Sequence, residues 1–309
     1  MKELEVVAMV GIPGSGKTTW IKENVNPKSN VVVVSRDQIR EELFGEPYKH
    51  TKAREKEVTA VKSQRIIDAF KDADILIIDE THCGKSARSK TKHDLQAAER
   101  ESGRSFLFRW QVMETSFDPD RCHKNNVSRN RSVPFTVIEN MFIGFLDFVR
   151  SNDKLCPDWL PTKDEVESAS FTNEYIVDID GTVASHEGIR SPFEWGRVDE
   201  DVPKKHVIDV LHAVRGLNRS IVFFSGRDGS CYDKTKAWLD LHVGRIYTGL
   251  HLREEGSNEK DFKVKMKMYK EEFAQKGFRP IAVFDDRLQV VRYWRAIGIP
   301  VFQVEAGLF

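Results

Sequence analysis

The sequence predicts an α/β protein with two domains, each built on a parallel β-sheet. Short apolar runs alternate with longer segments of helical periodicity, a pattern typical of parallel strands that helices cover on both faces. The chain has 309 residues, which is enough for two hydrophobic cores. Polar residues and prolines concentrate in 151–170, so we expect a linker there, with one domain at 1–150 and another at 171–309.

Each domain is expected to contain several short strands and the helices that connect them. The β-branched and apolar runs favour buried strands, and the longer amphipathic segments favour helices. In the first domain the predicted strands are 6–10, 31–34, 75–78 and 105–112, and the helices are 19–24, 38–44, 51–71, 86–101, 120–127 and 135–148. In the second domain the predicted strands are 175–177, 220–224, 281–284 and 301–304, and the helices are 204–217, 233–241, 261–275 and 288–296.

The overall composition excludes several classes of protein. No apolar run approaches the roughly 20 residues of a membrane span, and the amino terminus does not resemble a signal peptide. The four cysteines lie far apart, which is typical of free thiols in a reducing compartment, so we expect a cytoplasmic protein. With 48 basic and 48 acidic residues, any contact with nucleic acid requires a local basic patch.

A glycine-rich loop follows the first predicted strand and matches G-x-x-x-x-G-K-[ST] over 11–18. Backbone N–H groups of such a loop, together with the N-terminus of the next helix, bind phosphate oxygens. Lys17 is expected to neutralise the β- and γ-phosphates, and Thr18 to bind Mg²⁺. The predicted ATP site comprises Gly11, Gly14, Ser15, Gly16, Lys17 and Thr18.

Further polar residues follow the second and third strands of this domain. Asp37 is placed to accept a proton from a substrate hydroxyl, or alternatively to cap a helix. Asp79 or Glu80 supplies an acid to the site, unless both lie at a solvated strand end. Arg129 and Arg131 lie between two predicted helices, where they form a lid over the triphosphate or are simply solvated.

The second domain carries a separate motif, D-x-D-G-T, at the end of its first strand. Asp178 and Asp180 are two residues apart and therefore point the same way. They can share Mg²⁺, one attacking phosphorus and the other protonating the leaving oxygen. Alone, the motif also fits a calcium loop or a turn.

Three later elements make a phosphate-cleaving site the better interpretation of that motif. A hydroxyl and backbone amides can bind phosphate, a lysine can balance charge, and two carboxylates can add metal ligands. These residues are Ser225, Gly226 and Arg227, then Lys260, then Asp285 and Asp286. The short spacing between them leaves no room for a large cap domain, and an open site suits a bulky phosphomonoester such as the end of a polymer.

The motifs resemble those of the bacteriophage-type bifunctional polynucleotide kinase/3′-phosphatases over nearly the whole chain. In the first half the shared motifs are G-x-P-G-S-G-K-T-T-W, R-D and Y-K-H-T-K; in the second they are D-x-D-G-T, S-G-R, R-E-x-G, D-D-R-x-Q-V-V and W-R-x-I-G. The resemblance implies a P-loop kinase followed by a HAD-like Rossmannoid phosphatase without a large cap.

The resemblance also implies an activity and a role for particular residues. The ATP γ-phosphate goes to the 5′-hydroxyl of RNA or DNA, and 3′-phosphate and 2′,3′-cyclic phosphate are removed, with Mg²⁺ as cofactor. Asp37 is then the base, Arg40 the contact to the acceptor phosphate, Asp178 the nucleophile and Asp180 the acid/base. It further implies a homotetramer and, for a phage-encoded protein, the host cytoplasm.

The sequence departs from the family pattern at two points. His82 replaces an asparagine, so that both Asp79 and Glu80 are candidates for the acceptor-site acid. When the sequence is aligned with the family motif, the position of the lid arginine falls one residue before Arg129. A shift of one residue must therefore be assumed to give Arg129 that role.

Two other functions remain as alternatives: a metabolite kinase fused to a metabolite phosphatase, and a non-catalytic NTP-gated binding module. The uncapped second site argues against the first alternative. Intact catalytic residues in both halves, namely Lys17, Asp37, Asp178 and Asp180, argue against the second.

Overall fold

The computed structural model describes residues 3–26, 29–128 and 132–307. The chain divides into two compact units, Met1–Phe148 and Val149–Phe309. Within the described residues, the helices are all too short or too polar to cross a membrane. The exact domain limits expected from the sequence stay predictions.

The first unit is a four-stranded parallel sheet with the strand order β2-β3-β1-β4. Its strands are β1 (Leu4–Val10), β2 (Val31–Ser35), β3 (Ile75–Asp79) and β4 (Phe106–Val112). Its helices are α1 (Lys17–Asn24), α2 (Arg36–Phe44), α3 (Lys52–Asp72), α4 (Lys85–Ser102), α5 (Pro119–Val127) and α6 (Phe135–Arg150). The four strands and six helices predicted for this part of the chain are confirmed, with shifts of a few residues at their ends.

Both faces of this sheet are buried, as its apolar strands predict. Successive residues of β1 point to opposite faces. Leu4, Val6 and Ala8 join the core beneath α3 and α4, which also contains Val58, Ile66, Phe70 and Leu95. Val7 and Met9 join a second core with Ile21, Ile77 and Met113. Because both cores fix β1, the loop that follows it starts from a rigid support.

The second unit is a five-stranded parallel sheet with the strand order β10-β9-β6-β12-β13. The strands of the unit are β5 (Ser170–Phe171), β6 (Glu174–Val177), β7 (Ala184–Ser185), β8 (Val202–Pro203), β9 (Ser220–Asp228), β10 (Gly249–Arg253), β11 (Phe278–Arg279), β12 (Ala282–Arg287) and β13 (Val301–Gly307). Its helices are α7 (Lys163–Glu167), α8 (Lys205–Gly216), α9 (Tyr232–His242), α10 (Asp261–Glu272) and α11 (Leu288–Ala296). The α/β class and the parallel sheets are as the sequence predicts.

Three features of this unit differ from the sequence expectation. The two-residue strands β5, β7, β8 and β11, which form two small sheets of their own, were not expected. Strand β10 is an additional member of the sheet, and its five residues are all half-buried, which gives the weak apolar signal of an edge strand. The segment 151–170 contains α7 and packs within the unit. Leu160 and Val166 are buried there, and the ring of Trp159 meets those of Phe262 and Tyr293.

Candidate active sites

The first candidate site is a cavity of about 730 Å³ at the carboxyl ends of β1, β2 and β3. Ligands bind at this edge in open α/β sheets. Most of the residues predicted for the first site line this one cavity: Gly14, Gly16, Lys17, Thr18, Asp37, Arg40, Asp79 and Glu80. Arg129 and Arg131, the predicted lid residues, lie outside the described residues.

The glycine-rich loop after β1 has the tight curvature that a phosphate site needs. Gly14 has a φ of 81°, and a Cβ there would lie 2.1 Å from the Cys122 carbonyl oxygen, so this position requires glycine. The ammonium of Lys17 donates to the carbonyl oxygens of Gly11 and Ile12 at 3.0 and 3.1 Å. The loop therefore encloses the lysine that is expected to meet the phosphates, and Thr18 follows it in the first turn of α1.

Asp37 is the second residue of α2, and it is not the helix cap that the sequence left as an alternative. The cap is Ser35, whose side chain accepts from the Gln38 backbone N–H. The Asp37 carboxylate is 62% exposed and pairs with the Arg40 guanidinium at 2.7 Å. It is thus open to an incoming hydroxyl, while Arg40 remains beside it.

A carboxylate that the sequence analysis did not single out holds the arginines of this site. Glu55 on α3 accepts from Arg40 at 2.9 Å, from Arg36 at 2.6 Å and from the Tyr48 hydroxyl at 2.9 Å. Burial alone would raise the pKa of Glu55, but these hydrogen bonds outweigh it and lower the pKa to about 2. Glu55 therefore stays ionised and fixes the direction in which both guanidiniums point.

Glu80 has a buried cation as its partner. The ammonium of Lys62 lies 2.9 Å from a Glu80 carboxylate oxygen, and the Lys62 side chain is almost completely buried. Lys62 also donates to the Thr91 hydroxyl at 3.0 Å. A buried lysine beside this acid compensates its charge.

His82 completes a directed chain of hydrogen bonds behind this pair. Its Nδ1 lies 2.6 Å from the Met9 carbonyl oxygen and its Nε2 lies 2.9 Å from the Thr91 hydroxyl. A carbonyl only accepts, so Nδ1 carries the proton, and Nε2 accepts from Thr91. Burial lowers the pKa of His82 to about 4, so the ring is neutral near pH 7. This series of hydrogen bonds links β1, just before the glycine-rich loop, to Glu80 at the end of β3.

The second candidate site lies at the carboxyl ends of β6 and β12. Asp178, Asp285 and Asp286 are all buried, and one oxygen from each lies within 4.8 Å of the others. The ammonium nitrogen of Lys265 lies 2.8 Å from a carboxylate oxygen of Asp178 and 3.0 Å from one of Asp285. Burial raises the pKa of Asp178, and Asp285 and Asp286 add to the shift although Lys265 opposes it.

These three carboxylates suit a divalent cation with a preference for oxygen ligands. Lys265 can neutralise only one of the three. The pKa of Asp285 is raised to about 6, mainly by burial, and the charges of Asp261 and Asp286 add to this shift while Lys265 opposes it. A Cβ at Gly181 would lie 2.1 Å from an Asp286 carboxylate oxygen, so the motif glycine gives that side chain room. The three carboxylates therefore fit a divalent cation such as Mg²⁺.

Asp180, the other carboxylate of the motif, lies outside this group of three and faces two arginines. Arg227 donates to its two carboxylate oxygens at 2.8 and 2.9 Å, and Arg190 donates to one of them at 2.8 Å. Buried Asp201 accepts from both guanidiniums. Burial alone would raise the pKa of Asp180, but the arginines outweigh it and lower the pKa below its usual range. The arrangement favours the ionised carboxylate, as a base requires.

The structure places the remaining predicted residues as follows. Lys260, predicted to balance the nucleophile, is exposed at the start of α10, and Lys265 on the same helix occupies that position instead. Ser225 is buried, and its hydroxyl accepts from the Arg227 N–H at 3.2 Å. Gly226 is packed so closely that a Cβ there would lie 2.2 Å from an Asp261 carboxylate oxygen. Arg227 is completely buried and contacts Asp180, so its reach toward a phosphate is limited.

The sequence analysis did not single out three residues of this site: Lys265, Arg190 and Asp201. Each of them reaches its partner through the fold and not through a motif. Lys265 is one of several lysines along α10, and its helical phase, one turn after Asp261, is the only signal that selects it. Arg190 and Asp201 meet through an irregular segment, where residue spacing predicts no contact.

Comparison with known proteins gives a family for each part of the chain. Residues 172–309 match the family model of the polynucleotide kinase PNKP phosphatase domain, and residues 6–146 match that of an AAA domain. A curated relative, the putative bifunctional polynucleotide kinase/RNA ligase of Autographa californica nuclear polyhedrosis virus, is 25% identical over 97% of this chain and 42% of its own length. The chain thus spans about two fifths of that relative.

Solved structures with similar chains include two of the Pnkp1/Rnl/Hen1 RNA repair complex. They are 23% and 24% identical, cover all of this chain and 98% and 99% of their own, and each has a TM-score of 0.42. The two family matches, in the order expected, confirm the resemblance drawn from the motifs.

Proposed function

We propose that this chain, which belongs to the polynucleotide kinase–phosphatase family, heals nucleic-acid ends by phosphorylating 5′-hydroxyls with ATP and removing 3′-phosphates. The observation that carries the proposal is the presence of two separate sites, one in each unit, each with its own nucleophile-activating or nucleophilic carboxylate. The match of residues 172–309 to a polynucleotide kinase phosphatase domain supports a nucleic-acid end as the substrate.

In the proposed kinase reaction, the acceptor 5′-hydroxyl enters beside the exposed carboxylate of Asp37. Asp37 takes the hydroxyl proton as the oxygen bonds to the γ-phosphorus of ATP, and the bond to the β-phosphate oxygen breaks to release ADP. Lys17 offsets charge on the phosphates. Arg40, held by Glu55 at 2.9 Å, contacts the phosphate next to the acceptor hydroxyl.

In the proposed phosphatase reaction, a carboxylate oxygen of Asp178 attacks the 3′-phosphorus. The bond to the sugar oxygen breaks, leaving an aspartyl-phosphate that water hydrolyses. Lys265, 2.8 Å from Asp178, stabilises charge on the reacting groups. Asp180 in its protonated form gives its proton to the departing oxygen and, then ionised, takes a proton from the attacking water. The arginine pairs favour the ionised form that this second step requires. Mg²⁺, held by Asp178, Asp285 and Asp286, would neutralise phosphate charge.

Several finer features of the proposal extend the sequence predictions. ATP and Mg²⁺ are the cofactors that kinase and HAD phosphatase domains generally use. RNA and DNA ends are both proposed as substrates, and 2′,3′-cyclic phosphate is included. A cytoplasmic location and a homo-oligomer remain predictions.

The test is product mapping on one oligonucleotide that bears a 5′-hydroxyl and a 3′-phosphate, with ATP and Mg²⁺ present. We expect a 5′-phosphate and a 3′-hydroxyl. A competition series with nucleosides and nucleoside monophosphates separates this function from a metabolite kinase/phosphatase. If these small molecules are turned over more efficiently than the oligonucleotide, the end-healing function is wrong.

A further inference from the structure

Phe193 is an aromatic residue on the surface of the second unit. The exposed fraction of Phe193 is 78%, one of the highest values among the large apolar residues described. A single exposed apolar side chain needs no functional explanation in itself. The position of this one, three residues after Arg190, is what gives it meaning.

Arg190 fixes the backbone that leads to Phe193 and the carboxylate of Asp180 at the same time. One of its terminal nitrogens donates to the carbonyl oxygens of Ser191 and Pro192, at 3.2 and 3.3 Å. The other donates to Asp180 at 2.8 Å. Only the width of one guanidinium separates the Asp180 carboxylate from the carbonyl oxygen of the residue before Phe193, so the backbone that leads to the ring is fixed to the site.

The turn that carries the ring is also closed from its other end. The Glu194 N–H donates to the Ser191 carbonyl oxygen at 3.1 Å, and the Glu194 carboxylate accepts from the Ser191 N–H at 3.3 Å. The ring of Trp195 meets that of Phe193 edge to face, with 6.0 Å between centroids. A ring held in this way loses little conformational entropy when a ligand binds.

The charges around the turn do not favour a phosphate group as its ligand. Glu194 and Glu200 both pair with Arg197, at 3.4 and 2.6 Å. Asp199 pairs with Lys234 at 3.1 Å. With its basic groups already matched by carboxylates, the turn offers a phosphate no excess positive charge, whereas a neutral planar group can stack on Phe193 without an electrostatic cost.

We propose that Phe193 is a stacking platform for the nucleobase of the terminal nucleotide, the one whose 3′-phosphate is removed. The proposal rests on the proposed phosphatase function. The phosphate and the base belong to one nucleotide, so the phosphate reaches Asp178 while the base lies on the ring. Stacking on an aromatic face accepts any base, which suits an enzyme that must act on ends of any sequence.

The experiment compares two oligonucleotides that differ only at the 3′-terminal nucleotide, which carries either adenine or no base, each with a 3′-phosphate. For the full chain, kcat/KM is measured in the wild type, Phe193→Ala and Phe193→Trp. Phe171→Ala is the control, because Phe171 is an aromatic residue of the same unit with 67% exposure. We expect Phe193→Ala to lose about 5- to 150-fold on the adenine substrate, the range that base stacking supplies, and nothing on the abasic one.

Phe193→Trp and Phe171→Ala should behave as the wild type on both substrates. The loss in Phe193→Ala should be equal at low and high salt, because a stacking contact releases no counterions. An equal loss on both substrates would show that the ring only supports Arg190, and no loss on either would show that it binds nothing; each result overturns the proposal. If the wild type removes phosphate from neither substrate while its 5′-kinase works, the phosphatase function fails and this proposal falls with it.

Discussion

The two candidate sites keep their key carboxylates in opposite environments. Asp37 of the first unit is 62% exposed and pairs with Arg40. Asp178 of the second unit is buried against Lys265 and two further aspartates. A base that serves an incoming hydroxyl must be open to the substrate, whereas a carboxylate that forms a covalent bond benefits from a rigid, charge-balanced surrounding. The difference predicts that substitution of the exposed Asp37 changes activity alone, and that substitution within the buried cluster around Asp178 also changes stability.

The largest expected effect is the separation of the two activities. Asp178→Asn keeps the shape of the side chain but removes the nucleophile, so phosphatase activity should be lost while kinase activity stays at the wild-type level. Lys17→Ala should do the reverse, with a kinase loss of about 10²–10³-fold. Both activities are measured on one oligonucleotide in both variants. Loss of both activities in either variant, with the fold intact by circular dichroism, would mean that there is one shared site.

Asp37→Asn tests the open carboxylate. General-base catalysis contributes about 10²–10⁴-fold, so the kinase rate should fall within that range. ATP affinity should barely change, because the base acts on the acceptor, and the free energy of unfolding should move by less than about 0.5 kcal/mol for so exposed a side chain. The rate is measured at saturating ATP, and the affinity by calorimetry. A collapse of ATP affinity would reassign Asp37 to the donor site.

A matched pair of lysines tests the buried carboxylates. Lys265→Met leaves Asp178 and Asp285 without their 2.8 and 3.0 Å partner. Phosphatase activity should fall by about 10²–10³-fold, and the second unit should lose about 3–5 kcal/mol of stability. Lys260→Met, at the exposed position immediately before the same helix, should have little effect on either. If Lys260→Met is the more damaging of the two, the original sequence prediction was the better one.

The strands and the positions of the motifs could be predicted because both are local properties of the sequence. The β-branched run at 31–34 and the D-x-D-G-T motif need no knowledge of the rest of the chain. Contacts between elements could not be predicted in this way. Glu55 reaches Arg40 because α3 packs on α2, and Arg190 reaches Asp180 through an irregular turn. The spacing of residues in the sequence does not predict such pairs. They nevertheless supply most of the ion pairs that orient the charged side chains of both sites.

The smallest effect we predict is a change in how the stability of the first unit depends on pH. The group responsible is His82, whose side chain is buried. Its pKa is lowered from 6.5 to about 4, mainly by burial. Above pH 6.5 the ring is neutral whether the unit is folded or not. Between pH 6.5 and 4 only the unfolded chain takes up the proton, so stability falls with pH, by about 3 kcal/mol in total at 1.36 kcal/mol for each pKa unit.

His82→Asn removes this titrating group and should flatten the dependence between pH 6.5 and 4. The measurement is hydrogen exchange of peptides from β1 and β3, corrected for intrinsic rates, at pH 7 and pH 5. His93→Asn is the control, since His93 is exposed on α4, and it should keep the wild-type dependence. Asparagine cannot reproduce both bonds of the ring, to Met9 and Thr91, so some stability is also lost at pH 7. The slope, and not that constant offset, is decisive: a variant that still loses about 2 kcal/mol between pH 7 and pH 5, the part of the total that falls in this range, would show that another group titrates.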